Sequence, residues 1–555
     1  MSEQHILNLK YSCWWLIILL LLTNACAMFS PVLNSNDAYF YAVISKTMVN
    51  NHDWVNLYYG GQDWLDKPHL PFWLTALSFR IFGVSAFAYV LPGFIFHCIG
   101  AIYTYRLGKL LYSESTGIIA ALIYVSSLHL LLSSMDIRAE AFLLGEIIPA
   151  CYYYLRYDRI GNLKNLLLAS SFTALALMTK GLFVVITIFS GLIAMWIYSG
   201  ELRKIIQPKW LLAYALSLVA TLPELVCLYL QFDLHPEKLV FGQHQVSGIR
   251  WFFWGSQFGR FFNSGPIVNN HGNPSFFIHT FLWAFLPWSL LFIASIVAAC
   301  HRFKNESTKQ RAASIYLQSS FWLTFIMFSA TKFQLDHYTN IIMPFAAIIV
   351  ANYLLNQTTH LAIITKSQQI LTLLILLLNI VISIFFFRTN WLIISTLLPA
   401  ALLGYSLLNF RKTAPIKTIL VLPALAVTSS FTVLMLVNAT IYRNFDAGYN
   451  IAQYLQGKSV ATVYNLEVPG LINNLEFHTN MPTSETHLPI PNNYPYYLAI
   501  KSENLPWLES YNYQKLATFN ELEMTKFIPA MLNNNKYQQS LIIIDLVKVT
   551  GLRSN

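Results

Sequence analysis

Apolar runs of about 17 to 25 residues recur along the first four-fifths of the chain, each long enough to cross a hydrocarbon core of about 30 Å as a helix. On that length criterion about thirteen crossings are expected. The first run, "CWWLIILLLLTNACAMFSPVL", exceeds a signal-peptide core. No small-x-small cleavage site leads from it into a soluble domain, so it reads as a retained helix.

Two interruptions, residues 34–70 and 232–275, are too long to be plain connectors. Their aromatic residues alternate with polar ones, a pattern that suits amphipathic elements lying in the plane of the membrane interface. From about residue 442 the pattern changes to short strand-like runs, "SVATVYN", "YYLAI" and "SLIIIDLVKV", within Asn-, Tyr- and Pro-rich sequence. The expected architecture is therefore an all-α polytopic membrane domain over residues 1–441, followed by a small soluble α/β domain over 442–555. No internal repeat stands out, which leaves an inverted-repeat transporter without support.

Composition agrees: of 555 residues 56% are hydrophobic and 11% charged, against roughly 25% charged in a soluble protein. The six cysteines all fall in or beside apolar runs, as buried small residues do, and no C-x-x-C spacing is present. The formal charge of +10 is concentrated in alternate loops (Arg106 and Lys109; Arg156, Arg159 and Lys164; Arg203, Lys204 and Lys209; Arg302, Lys304, Lys309 and Arg311; Arg411 and Lys412). That distribution marks cytoplasmic loops rather than a nucleic-acid surface. The N-terminus is then cytoplasmic, while the two long loops and the C-terminal domain are periplasmic, across a bacterial inner membrane.

The polar residues that break this apolar background fall on the outer side. Asp37 opens an amphipathic pattern with Ala38, Tyr41, Ile44 and Met48 on one face, and capping that helix is the simplest reading of it. In "WLDKPHLPFWL", Asp66 and Lys67 precede two prolines; Lys67 suits either snorkelling to headgroups or phosphate binding. "SSMDIRAEAF" holds Asp136, Arg138 and Glu140, with Asp136 and Glu140 on one face if the segment is helical. A structural charge network and a functional site are equally good readings of that segment. Lys180 sits in a tight Lys-Gly turn, and Lys332, Asp336, His337 and Tyr338 lie where an outer loop meets a helix. Asp66 and His271 are a carboxylate and an imidazole, donor types that suit a divalent cation such as zinc.

In order along the chain, "NDAYFYAVISKTMVNNHDW", "DKPHLPFWLTALSFRIFG", "LALMTKG", "FGRFF", "HGNPSFF", "FLPW" and "FSATKFQLDHY" resemble the membrane glycosyltransferases of the C superfamily. Within it the chain is most similar to the bacterial aminoarabinose (lipid A) transferase branch, related to the protein O-mannosyltransferases. The resemblance covers about residues 10–355. It implies inverting transfer of a sugar from a polyprenyl-phosphate carrier to a lipid, glycan or protein acceptor at the periplasmic face, with no firm cofactor requirement.

It also assigns residues. Asp37 and Asp136 are the implied catalytic carboxylates, Lys67, Lys180, Arg260 and Lys332 the donor-phosphate cations, and Arg138, Glu140, His337 and Tyr338 further pocket residues. The family's acidic pair in the first outer loop is here Asp37-Ala38, its Glu-Lys-Pro is Asp66-Lys67-Pro68, and Gln257 stands where a His is common. A lipid-linked sugar transporter is the rival reading, and it predicts charges deep inside several runs instead of on one side.

Overall fold

The computed structural model describes residues 3–553 except 270–271, 303–305, 357–360, 387–389, 409–415, 460, 523–525, 527–529 and 532. His271, Lys304, Arg411 and Lys412 lie outside the described residues. The chain folds as two compact units, one of residues 1–27, 64–71 and 92–433, the other of residues 28–63, 72–91 and 434–555.

Among the described residues five helices are long and apolar enough to cross a membrane: Lys10–Phe29, Ala86–Leu111, Asp336–Asn356, Ile363–Phe386 and Ile419–Thr440. Two bent pairs, Pro208–Ala220 with Leu222–Asp233 (41°) and Phe276–Ala284 with Ser289–His301 (114°), raise the number to seven if each is one span. Leu70–Phe82, Glu114–Val125, Val184–Tyr198 and Ser395–Leu408 are apolar but shorter. Several apolar runs therefore resolve into short or broken helices, because proline and polar residues interrupt them. The protein is a mostly helical, multi-span membrane protein with a small mixed sheet near its C-terminus.

In the first unit Glu114–Val125 is buried at ten of its twelve positions and packs against the helix Met343–Asn356. The helices Ala139–Ile160 and Leu163–Lys180 lie side by side. Gly145 lets the first of these approach the backbone of Phe96 so closely that a Cβ would collide with it, the small-residue packing that membrane helices favour. Residues 248–262 of the second long loop form a continuous helical segment ending in Ser256–Phe262.

In the second unit a five-stranded sheet runs in the order Thr483–Thr486, Val463–Leu466, Tyr496–Lys501, Ile542–Leu552, Tyr511–Glu521. The first three strands are parallel and the rest antiparallel. Alternation along Tyr496–Lys501 serves both faces. Tyr497 and Ala499 pack with the helices Ala447–Leu455 and Leu471–His478, while Tyr496, Leu498 and Ile500 pack with Leu508 and Val547.

The helix Asn36–Asn51 belongs to this unit and is capped by Ser35, whose side chain accepts from the Ala38 N–H. The cap expected of Asp37 is thus made two residues earlier, and Asp37 sits in the first turn with its side chain exposed. The helix is also less one-sided than its pattern predicts: Lys46 is buried and donates to the carbonyls of Glu476 and Thr479 at the C-terminal end of Leu471–His478. Those are carbonyls that a helix end leaves without intrahelical partners.

Candidate functional site

The first unit gathers most of the implied site residues. Lys67 Nζ lies 2.8 Å from Asp66 Oδ2, and the Arg260 guanidinium binds Asp66 Oδ1 and the Asp66 carbonyl. Arg260 comes from the helix Ser256–Phe262, where its Nη1 also donates to the Ser256 carbonyl at 3.2 Å. Its Nε–H is buried without a hydrogen-bond partner among the described residues. Burial would push the Asp66 carboxyl up, but Lys67 and Arg260 overcome this and hold it below the usual range. Burial, with repulsion from Arg260, brings Lys67 down to about 8. Two cations thus share one carboxylate.

A second group adjoins Arg260. Lys180 ends its helix and pairs with Glu140 Oε1 at 2.5 Å. Its ammonium lies 4.4 Å from the centre of the Tyr338 ring, a cation–π contact. The turn after it depends on Gly181, with φ +92°, a conformation open to glycine and strained for other residues. The Gln257 amide donates to the Lys180 carbonyl at 3.3 Å. Glu140, Lys180, Arg260 and Tyr338, with Phe183, Phe328 and Phe333, line one cavity.

The segment Asp136–Glu140 is not one helical face. Arg138 is an extended cap residue and the helix begins at Ala139. Arg138 instead links the carboxylates: its Nε donates to Asp136 Oδ2 at 2.9 Å, and His337 stands 3.4 Å from its Nη1 and 3.6 Å from Glu140 Oε2. Asp136 is half-buried and does not line the cavity, and neither does Lys332, whose side chain is exposed. Asp37 lies in the other unit.

Zinc does not fit Asp66. Both carboxylate oxygens are engaged by cations, which compete with a metal for the same lone pairs. Among the described residues no three His, Cys, Asp or Glu side chains gather as a metal site.

Several pairings gave no sequence signal because their members are far apart in the chain. His69 and Glu224 are fully buried against each other, and His129 Nδ1 meets the Asn340 side chain at 2.5 Å. A histidine and a carboxylate in separate apolar stretches announce nothing by spacing.

Residues 66–227 match the model of the dolichyl-phosphate-mannose-protein mannosyltransferase family. That span includes Asp66, Lys67, Asp136, Arg138, Glu140 and Lys180 and excludes Asp37 and Arg260. An undecaprenyl phosphate-alpha-4-amino-4-deoxy-L-arabinose arabinosyl transferase of Pseudomonas aeruginosa is 24% identical over 311 residues, 55% of this chain and 52% of that protein. An uncharacterized protein of Aquifex aeolicus is 26% identical over 330 residues, 58% of this chain and 59% of its own. The chain spans little more than half the length of these relatives.

The crystal structure of ArnT from Cupriavidus metallidurans bound to undecaprenyl phosphate superposes over 96% of this chain and 97% of that one, with a TM-score of 0.74 at 15% identity. The fold is therefore that of ArnT. The resemblance drawn from the sequence motifs is borne out.

Proposed function

We propose that this protein is a glycosyltransferase that takes a sugar from a polyprenyl-phosphate donor. The observation that carries the reading is the convergence of Lys67 and Arg260 on a single carboxylate beside the cavity, with the Arg260 Nε–H left without a partner among the described residues. Two cations against one carboxylate leave net positive charge, and a buried unmade donor is costly until an acceptor such as a phosphate oxygen arrives. The lipid carrier named for the ArnT crystal structure and for the Pseudomonas relative agrees with this chemistry.

In this reading the acceptor oxygen attacks the anomeric carbon as the carbon–oxygen bond to phosphate breaks, and the polyprenyl phosphate leaves with the bonding electrons. Direct displacement inverts the configuration. Lys67 and Arg260 stabilise the charge that grows on the departing phosphate, the point at which preorganised cations lower a barrier most. Lys180, held by Glu140 and Tyr338, fixes the wall of the sugar pocket. The motif resemblance alone gives Asp37, in the other unit, the proton of a hydroxyl acceptor, a contribution of about 10²- to 10⁴-fold, and an orienting role toward a phosphate acceptor. Asp136 acts through Arg138.

The distribution of basic loops supports a cytoplasmic N-terminus, an odd number of crossings and a periplasmic site and C-terminal domain. The acceptor is a lipid, glycan or protein on that face.

Purified full-length protein in liposomes, given a panel of labelled polyprenyl-phosphate sugars, tests the reading. Label passing to an acceptor with release of polyprenyl phosphate, lost in Lys67→Ala, is the expected result. Movement of the donor across the bilayer without bond cleavage would overturn it in favour of a transporter.

A further inference from the structure

The loop that carries Lys67 is tied down by a buried carboxylate that the proposed chemistry does not use. Glu224 Oε2 accepts from the His69 backbone N–H at 2.9 Å, and Glu224 Oε1 lies 3.0 Å from His69 Nδ1. The side chains are 1% and 0% exposed. Glu224 belongs to the helix Leu222–Leu228, within a helix pair apolar enough to cross a membrane, where an ionised group is expensive unless fully paired. Both of its oxygens go to one residue, two positions after Lys67.

Local chemistry makes that attachment necessary. Pro68 has no N–H, and the helix Leu70–Phe82 starts with Pro71 in its first turn, so this stretch has few backbone donors with which to anchor itself. His69 lies between Pro68 and Pro71, and its N–H is the first backbone donor after Lys67. Glu224 Oε1 and His69 Nδ1 share one proton between them, and Glu224 grips backbone and ring together. A two-point grip fixes the rotation of the loop as well as its position.

We propose that Glu224 is a positioning residue for Lys67, holding the ammonium where it meets the donor phosphate. The inference rests on the glycosyltransferase reading above. It predicts that the Glu224–His69 contact governs affinity for the phosphate group and acts only through Lys67.

The test is the dissociation constant of undecaprenyl phosphate, without a sugar, for the full-length protein in detergent, alongside its melting temperature. Wild type is compared with Lys67→Ala, Glu224→Gln, the Lys67→Ala/Glu224→Gln double variant, His69→Leu and His69→Asn. Asparagine keeps a donor near the position of Nδ1; leucine does not. Glu224→Gln and His69→Leu are each expected to weaken binding about tenfold, as for loss of a hydrogen bond to a charged group. His69→Asn should stay within about twofold of wild type, and the double variant should bind no worse than Lys67→Ala, as expected for residues acting as one unit.

A lowered melting temperature with unchanged affinity in Glu224→Gln and His69→Leu would overturn the positioning role. If Glu224→Gln does not fold, the two His69 variants decide the question. Lys67→Ala binding as tightly as wild type would overturn the phosphate-site reading and the positioning role with it; weakening in Lys67→Ala alone would overturn only the latter.

Discussion

The hydroxyl of Tyr39 donates a 2.6 Å hydrogen bond to Asp446 Oδ2, joining residues 407 positions apart in the chain. Both residues are buried, and Asp446 Oδ1 caps the helix Ala447–Leu455 by accepting from the Tyr449 N–H at 2.8 Å. The segment after the last membrane helix is thereby folded onto the helix that carries Asp37. Tyr39→Phe leaves a buried carboxylate oxygen short of a partner and should cost about 1–3 kcal/mol of stability, read as a lower unfolding midpoint in urea.

His478 Nε2 stands 2.9 Å from the Tyr39 hydroxyl, and burial, against the attraction of Asp446, lowers its pKa from 6.5 to about 4. Between those values the unfolded chain binds a proton that the folded chain does not. Stability is therefore complete above about 6.5 and is lost as the pH falls toward 4. Melting curves across pH 4–7 should show this slope, and His478→Gln should flatten it.

Lys67, brought down to about 8 by burial and Arg260, is charged at neutral pH and loses its proton as the pH rises through that value. Donor affinity should hold below pH 8 and fall above it. Lys67→Arg keeps the charge to much higher pH, so in its kcat/KM profile the alkaline limb should disappear even if the plateau is lower.

Arg260→Ala removes one of the two cations on Asp66 and the unpartnered Nε–H. A loss of about 10²- to 10³-fold in kcat is expected, the usual cost of removing one preorganised donor at a developing charge. Single-turnover transfer at saturating donor measures it.

Asp37→Asn separates chemistry from folding. Because Ser35 makes the helix cap, the substitution should leave the melting temperature within about 1 °C, given that exposed substitutions are usually worth under about 0.5 kcal/mol. Transfer to a hydroxyl acceptor should nevertheless fall by about 10²-fold or more. Full activity at wild-type abundance would remove Asp37 from the mechanism.

Gly181→Ala places a Cβ against the Gln257 amide at φ +92°. Strain of this kind costs about 1–3 kcal/mol, and because Lys180 precedes the turn, both melting temperature and turnover should drop.

Run length and residue type along the chain are enough to mark a multi-span helical membrane protein with a strand-bearing C-terminal part. Residue type and run length dictate partition into a bilayer, and period-two runs dictate strands. Ordered local motifs also singled out Lys67, Lys180, Arg260 and Lys332 as cations, because each stands in a short local pattern. Tertiary structure alone decided which charges share a site. Arg260 reaches Asp66 across 194 positions, His337 reaches Arg138 across 199, and Glu224 takes His69 across 155. Spacing carries no information about such pairs, since each joins a loop or a helix end to a segment far away in the chain. It also decided the details that local preference leaves open: Ser35 and not Asp37 caps its helix, and Arg138 interrupts the face that Asp136 and Glu140 were expected to share. An Asp and a Ser are nearly equal as caps, so which of them serves depends on where the chain enters the helix, and packing sets that.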